Sequence, residues 1–205
     1  MAQLTKEHYM TTRFITRGLL AAGVLAMSTG AWAQPAASSP TDSTPKKMEQ
    51  RSTLASADKD FLENAAQGGN AEIEGSKLAQ TKSSNPDVKK FAEQMIQDHT
   101  KANQELMALA KQKGYTPPNE PSIMQRTELK ALSATSGTTF DKMYVSRIGV
   151  AAHEDTVKMF QKAASDAKDP DIKAWAAKTL PALQHHLEMA NALHQKVDAE
   201  SKAKK

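Results

Sequence analysis

Six histidines are spread along the chain, and helical periodicity sets three of them on apolar stripes. His99 follows Met95 by four residues and precedes Ala102 by three, on the stripe that carries Val88, Phe91 and Leu106. His186 shares a stripe with Trp175, Thr179, Leu183, Ala190 and Leu193. His153 and Glu154 are bracketed by Val150, Val157 and Phe160, and Glu72 lies three helical turns after Phe61. Imidazoles and carboxylates converging from facing helices are how helical bundles build metal sites. The candidate ligands are therefore His99 and His186 as the inner pair, with Glu72 and either His153 or Glu154. Neutral imidazoles with one or two carboxylates suit a divalent ion such as zinc, manganese or iron. His185 and Glu188 form an outlying pair, three apart in sequence. His185 is turned about 100° from His186 toward the rim, where it holds metal at the surface or simply pairs with Glu188 in solvent.

The same residues also have a plainer reading, as polar seam groups satisfied by backbone, water or each other. The Glu-x-x-His motif of carboxylate-bridged di-iron bundles does not occur in the chain. With no cysteine, a disulfide framework, a thiolate nucleophile and any Cys-ligated metal are excluded. No G-x-S-x-G turn exists. Gly68-Gly69 sits inside a helical pattern rather than after a strand, so it reads as a close-packing device and not a phosphate loop. Met95, Met107, Met143, Met159 and Met189 read as filler in a core poor in rings, where aromatics are 5% of residues. No residue is assigned a catalytic role.

Four long helical segments must position these groups. The first runs from about Ala57 to Thr81 behind Ser56 as N-cap, and the second from Pro86, capped by Asn85, to about Lys113. A short helix is expected over Ile123–Leu132. The third long helix covers Thr139–Ala167, and the fourth runs from Pro170, behind Asp169, to about Ala199 with a kink at Pro181. Asn85-Pro86-Asp87-Val88-Lys89 and Asp169-Pro170-Asp171-Ile172-Lys173 repeat at a spacing of 84, and Phe91 falls on Trp175. Each copy opens the second helix of a hairpin. Two such hairpins predict an all-α, antiparallel four-helix bundle over 56–201.

Ahead of the bundle, Arg13 and Arg17 precede the short apolar run Gly18–Met27, and Ala31-Trp32-Ala33 supplies small residues before Gln34. This is the order of a cleavable export signal over 1–33, cut after Ala33, with Met1 or Met10 as its start. The run is too short to span a bilayer, which needs about 20 residues. Residues 34–55, rich in Pro, Ser, Thr and Ala, read as a flexible tether. Without the leader, 24 basic residues face 22 acidic ones, a balance of +2. Basic and acidic residues interleave, so nucleic acid is discarded as a partner. The expected location is the periplasm, with no transmembrane segment in the mature chain.

Three segments resemble a known exported bacterial family: Glu72-Ile73-Glu74-Gly75-Ser76-Lys77-Leu78-Ala79, Phe91-Ala92-Glu93-Gln94-Met95-Ile96-Gln97-Asp98-His99 and Leu180-Pro181-Ala182-Leu183-Gln184-His185-His186-Leu187-Glu188. The family is the domain-of-unknown-function family forty-one forty-two. The resemblance covers about Ala57 to Leu193 and implies a ferritin-like four-helix bundle in the cell envelope. It carries over Glu72, Asp98, His99, His153, Glu154, His185, His186 and Glu188, and it implies no activity. Two functional readings follow. The first, favoured by the missing di-iron motif, is a non-catalytic envelope or stress-related protein that binds an envelope partner, a small ligand or a second copy of itself. The alternative is a metal-binding or metal-dependent protein using the interior His and Glu residues.

Overall fold

Pro86 and Pro170 open their helices without a donor to lose, and the residue before each turns its side chain back onto the helix. Asn85 Oδ1 accepts from the backbone N–H of Asp87 and Val88 at 2.9 and 3.4 Å. Asp169 Oδ1 accepts from Asp171 and Ile172 at 2.9 and 3.1 Å. The computed structural model describes residues 52–203, and every regular element among them is helical. In chain order these are α1 (Ser56–Lys82), α2 (Pro86–Gln112), α3 (Ile123–Ser133), α4 (Gly137–Tyr144), α5 (Ala152–Asp166) and α6 (Pro170–Ala203). A π-helical segment, Val145–Ala151, joins α4 to α5 without a break. The export signal expected over 1–33 and the tether up to Arg51 lie outside the described residues; Ser52–Ala55 is irregular.

The repeat read from the sequence is a repeat in space. Three-residue links join α1 to α2 and α5 to α6, and each pair packs along its length, as antiparallel neighbours must. Val88 and Ile172 are fully buried, as are Ala92 and Ala176, and the rings of Phe91 and Trp175 are both inside. With α4, the π segment and α5 counted as one rod, four long rods form the bundle and α3 lies against α1.

Several local expectations need correction. Ser56 is the first helical residue rather than the cap; Ala55 holds that position with no side-chain bond. Asp58, in the first turn of α1, accepts from the N–H of Lys168 and Asp169 at 3.1 and 2.8 Å. It ties the start of α1 to the loop that opens α6. α6 is continuous through the exposed Pro181. Of the glycine pair only Gly69 is a packing residue: a Cβ there would stand 2.3 Å from Asn103 Oδ1, whereas one at Gly68 would meet nothing within 4 Å.

The third rod differs most. Carried back from His153 with one helical period, its buried stripe reaches Val150, but Val150 is only half-buried while Ile148 and Gly149 are inside. The π segment supplies one extra residue, so the stripe of α4 (Phe140, Tyr144) and that of α5 (His153, Val157, Phe160) both face the core.

That core is in two parts. Val88, Phe91, Met95, Tyr144, Ile148 and Leu193 belong to one apolar cluster. Phe61, Leu106, Phe160, Trp175 and Leu183 belong to the other, in which Phe61, Phe160 and Trp175 pack with ring centroids 5.0–5.9 Å apart. On α2, on the third rod and on α6, a single buried histidine falls between the residues of one cluster and those of the other.

Candidate metal centre

His99 on α2, His153 at the start of α5 and His186 on α6 meet in the layer between the two apolar clusters, with Glu72 of α1 beside them. The four are 4%, 0%, 2% and 2% exposed. The imidazole centroids form a near-equilateral triangle: 5.4 Å for His99–His153, 5.3 Å for His99–His186 and 5.5 Å for His153–His186. One ring nitrogen from each histidine lies within 4.8 Å of the other two.

Each ring is held through one nitrogen. His99 Nδ1 donates to Glu72 Oε2 at 3.0 Å. His153 Nδ1 donates to the Ile148 carbonyl at 3.2 Å, with Glu72 Oε1 at 3.6 Å. His186 Nε2 donates to Asp98 Oδ2 at 2.8 Å, and Gln94 Nε2 donates to the same oxygen at 2.7 Å. A carboxylate or carbonyl can only accept, so these contacts fix the tautomers of the neutral rings. The remaining nitrogens, His99 Nε2, His153 Nε2 and His186 Nδ1, are buried without a hydrogen-bond partner. Orphaned buried polar atoms are costly, and three in one place demand an explanation.

Burial and charge oppose each other here. Burial alone would push the Glu72 carboxyl up; the charges of His99 and His153, the hydrogen bond from His99 and the charge of His186 reverse this and hold it at about 2. Burial pushes His186 down to about 4, with the charges of His99 and His153 adding to the effect and Asp98 opposing it. Burial also lowers His153, against the pull of Glu72. For His99 burial is outweighed by the charge and hydrogen bond of Glu72, with Asp98 assisting, and its pKa is raised. The layer therefore balances one ionised carboxylate against a single proton-hungry imidazole, and leaves two rings neutral.

Of the residues singled out from the sequence, His99, His153, His186 and Glu72 are brought together. Glu154, one residue past His153, is exposed on α5. His185 and Glu188 are exposed on α6 as a loose pair at 3.8 Å. Asp98, which the periodic reading passed over because it lies off the stripe, reaches back from the rim to fix His186. The Ile148 carbonyl had no sequence signal, because it depends on the π segment.

Comparison with known proteins follows this geometry. A fragment of a DUF305 protein from Deinococcus radiodurans superposes with a TM-score of 0.62 at 13% identity, over 70% of this chain and 98% of that one. CopM in its Cu(II)-bound form gives 0.57 at 18% identity, over 68% and 96% of the two chains. CopM in its Cu(I)-bound form gives 0.58 at 20%, over the same shares. At these identities the likeness is one of fold. No curated protein matches the sequence. The model of a domain of unknown function, DUF4142, matches residues 43–193, and the chain belongs to that family.

Proposed function

We propose that this chain is a non-catalytic metal-binding protein whose bundle holds one transition-metal ion between His99, His153 and His186. Two observations carry the proposal: one nitrogen of each ring lies within 4.8 Å of one from each of the others, and each ring keeps one buried nitrogen without a hydrogen-bond partner. Around a common ion with bonds of about 2.1 Å, ligand nitrogens stand about 3.4 Å apart, so each ring moves inward by less than about 1 Å. Glu72 and Asp98 act behind the ligands, fixing ring orientation and raising basicity, as carboxylates behind metal-bound histidines do. Glu72 thus serves as an orienting group, a different role from the direct ligand its stripe position suggested.

Three nitrogen donors favour copper and zinc, and ferrous iron after them; manganese prefers oxygen-rich sites. The structural neighbour CopM was solved with Cu(II), Cu(I) and silver, which adds copper to the metals considered from the sequence. Among the described residues no helix is long and apolar enough to cross a membrane. With the leader read at 1–33, the proposed setting is the periplasm, where such a protein would sequester or carry metal.

The test is metal content by mass spectrometry on native, untagged protein, followed by titration of the chelated protein with Cu(II) and with Zn(II). One equivalent is expected to bind, and substituting any one of the three histidines by Ala should abolish it. Stoichiometric binding that survives His99→Ala and His186→Ala, or no binding of either metal, would overturn the reading.

A further inference from the structure

The three histidines are sealed inside the bundle, so a bound ion needs a way in. Two voids border Glu72. A small cavity of about 20 Å³ has the carboxylate of Glu72 and the ring of His99 in its wall. That is room for about one water molecule. A groove of about 530 Å³ lies between α1, α3, the π segment and α5, and Glu72 also lines it. The two share Asn64, Gly68, Glu72, Thr156 and Met159, so they meet at one neck. At that neck α1 presents Gly68, whose missing side chain leaves open space. Among the shared residues Glu72 keeps one oxygen, Oε1, buried and without a hydrogen-bond partner.

We propose that the metal ion reaches the histidine cluster through the α1–α5 seam, past Gly68 and Met159, with Glu72 Oε1 receiving it at the neck. This rests on the metal-binding reading and adds to it a route and a transient oxygen ligand. The neck's chemistry fits a cation shedding water. Asn64 and Thr156 offer neutral oxygens, and Glu72 supplies a negative charge before the ion meets the nitrogens. Gly68 does not pack against a neighbouring helix, which separates it from Gly69. Its role is to keep the neck open.

The experiment follows Cu(II) uptake by quenching of Trp175 fluorescence on rapid mixing with the chelated protein. Release is measured with an excess of a competing chelator. Gly68→Leu is expected to slow uptake and release alike by about tenfold or more, with Kd unchanged, because a plug at the neck alters rates and leaves the ligands intact. Gly68→Ala should give a smaller slowing in the same sense, and Met159→Ala should speed both rates. Unchanged rates in Gly68→Leu and Met159→Ala would overturn the route. A change in Kd without a matched change in both rates would overturn it too. Absence of Cu(II) binding by the unsubstituted protein would instead defeat the metal-binding reading itself, so the two failures are distinguishable.

Discussion

Glu72 Oε2 accepts from His99 Nδ1 at 3.0 Å, so the one buried carboxylate of the layer grips the ring by one nitrogen and leaves the other bare. This contact sets both the direction of the lone pair and the charge of the apo site. Glu72→Gln preserves shape and weakens the acceptor. Metal affinity is expected to fall about 10–100-fold, as for other outer carboxylates behind histidine ligands. Titration calorimetry against Cu(II) measures it, and unchanged affinity would remove Glu72 from the site.

Without metal, the histidine layer is a burden on the fold. His153 is fully buried with Nε2 unpaired. His153→Leu replaces it with an apolar side chain of similar volume and should raise the stability of the chelated protein by about 1–2 kcal/mol while abolishing metal binding. Urea denaturation in the presence of a chelator reads the first effect. A loss of stability would mean the ring is held by something better than the Ile148 carbonyl.

Acid should loosen the chelated protein early. His186, held down at about 4, and His153, also lowered, take a proton near about 6.5 once unfolded. Between these values the unfolded chain binds more protons, so stability falls as pH drops from about 6.5 to 4. Glu72 acts in the same sense at lower pH: its contribution is present above 4.5 and lost as pH falls toward about 2. His99 runs the other way, giving stability below about 6.5 that fades as pH rises through its raised value. Urea midpoints in chelator should therefore decline from about pH 6.5 to pH 4, and a flat profile over that range would contradict the buried neutral rings.

Phe91 and Trp175 occupy matching places in the two hairpins and anchor the two apolar clusters. Each truncation to Ala should cost about 3–5 kcal/mol. Circular dichroism should show a predominantly helical protein whose melting point drops in both variants. Near-zero cost at either ring would contradict its burial.

Deleting the exposed Arg147 removes the extra residue of the π segment and should convert α4–α5 into one regular helix. His153 would then turn by about 100° relative to α4. Helicity should persist while metal binding is lost and the midpoint falls. A deletion variant that binds metal normally would show that the π turn plays no part in placing His153.

Much of this architecture was legible because it is local. Asn85-Pro86 and Asp169-Pro170 announce their helices through capping chemistry alone, and the stripes through His99 and His186 follow from a period that neither helix violates. His153 was legible as a candidate but not its route into the core: an inserted residue breaks the period, and no side chain in Val145–Ala151 advertises it. Asp98 was missed by periodicity because a residue off the stripe can still reach inward from the rim. The tie from Asp58 to the α5–α6 loop has no local signal, because its partner lies 110 residues later. The direction in which Glu72 acts depended on which imidazole nitrogen it faces, a matter of rotamer rather than spacing.

The divided core has a consequence for how the chain breathes. With the Val88–Leu193 cluster on one side of the histidine layer and the Phe61–Trp175 cluster on the other, the apo protein has a weak plane where apolar cohesion is interrupted. The amide protons on either side should exchange as two separate cooperative units, with the backbone around His99 and His186 opening ahead of both. A bound ion joins three rods across that plane, so the two units should merge into one, and the gain in protection should extend well beyond the residues that touch the metal.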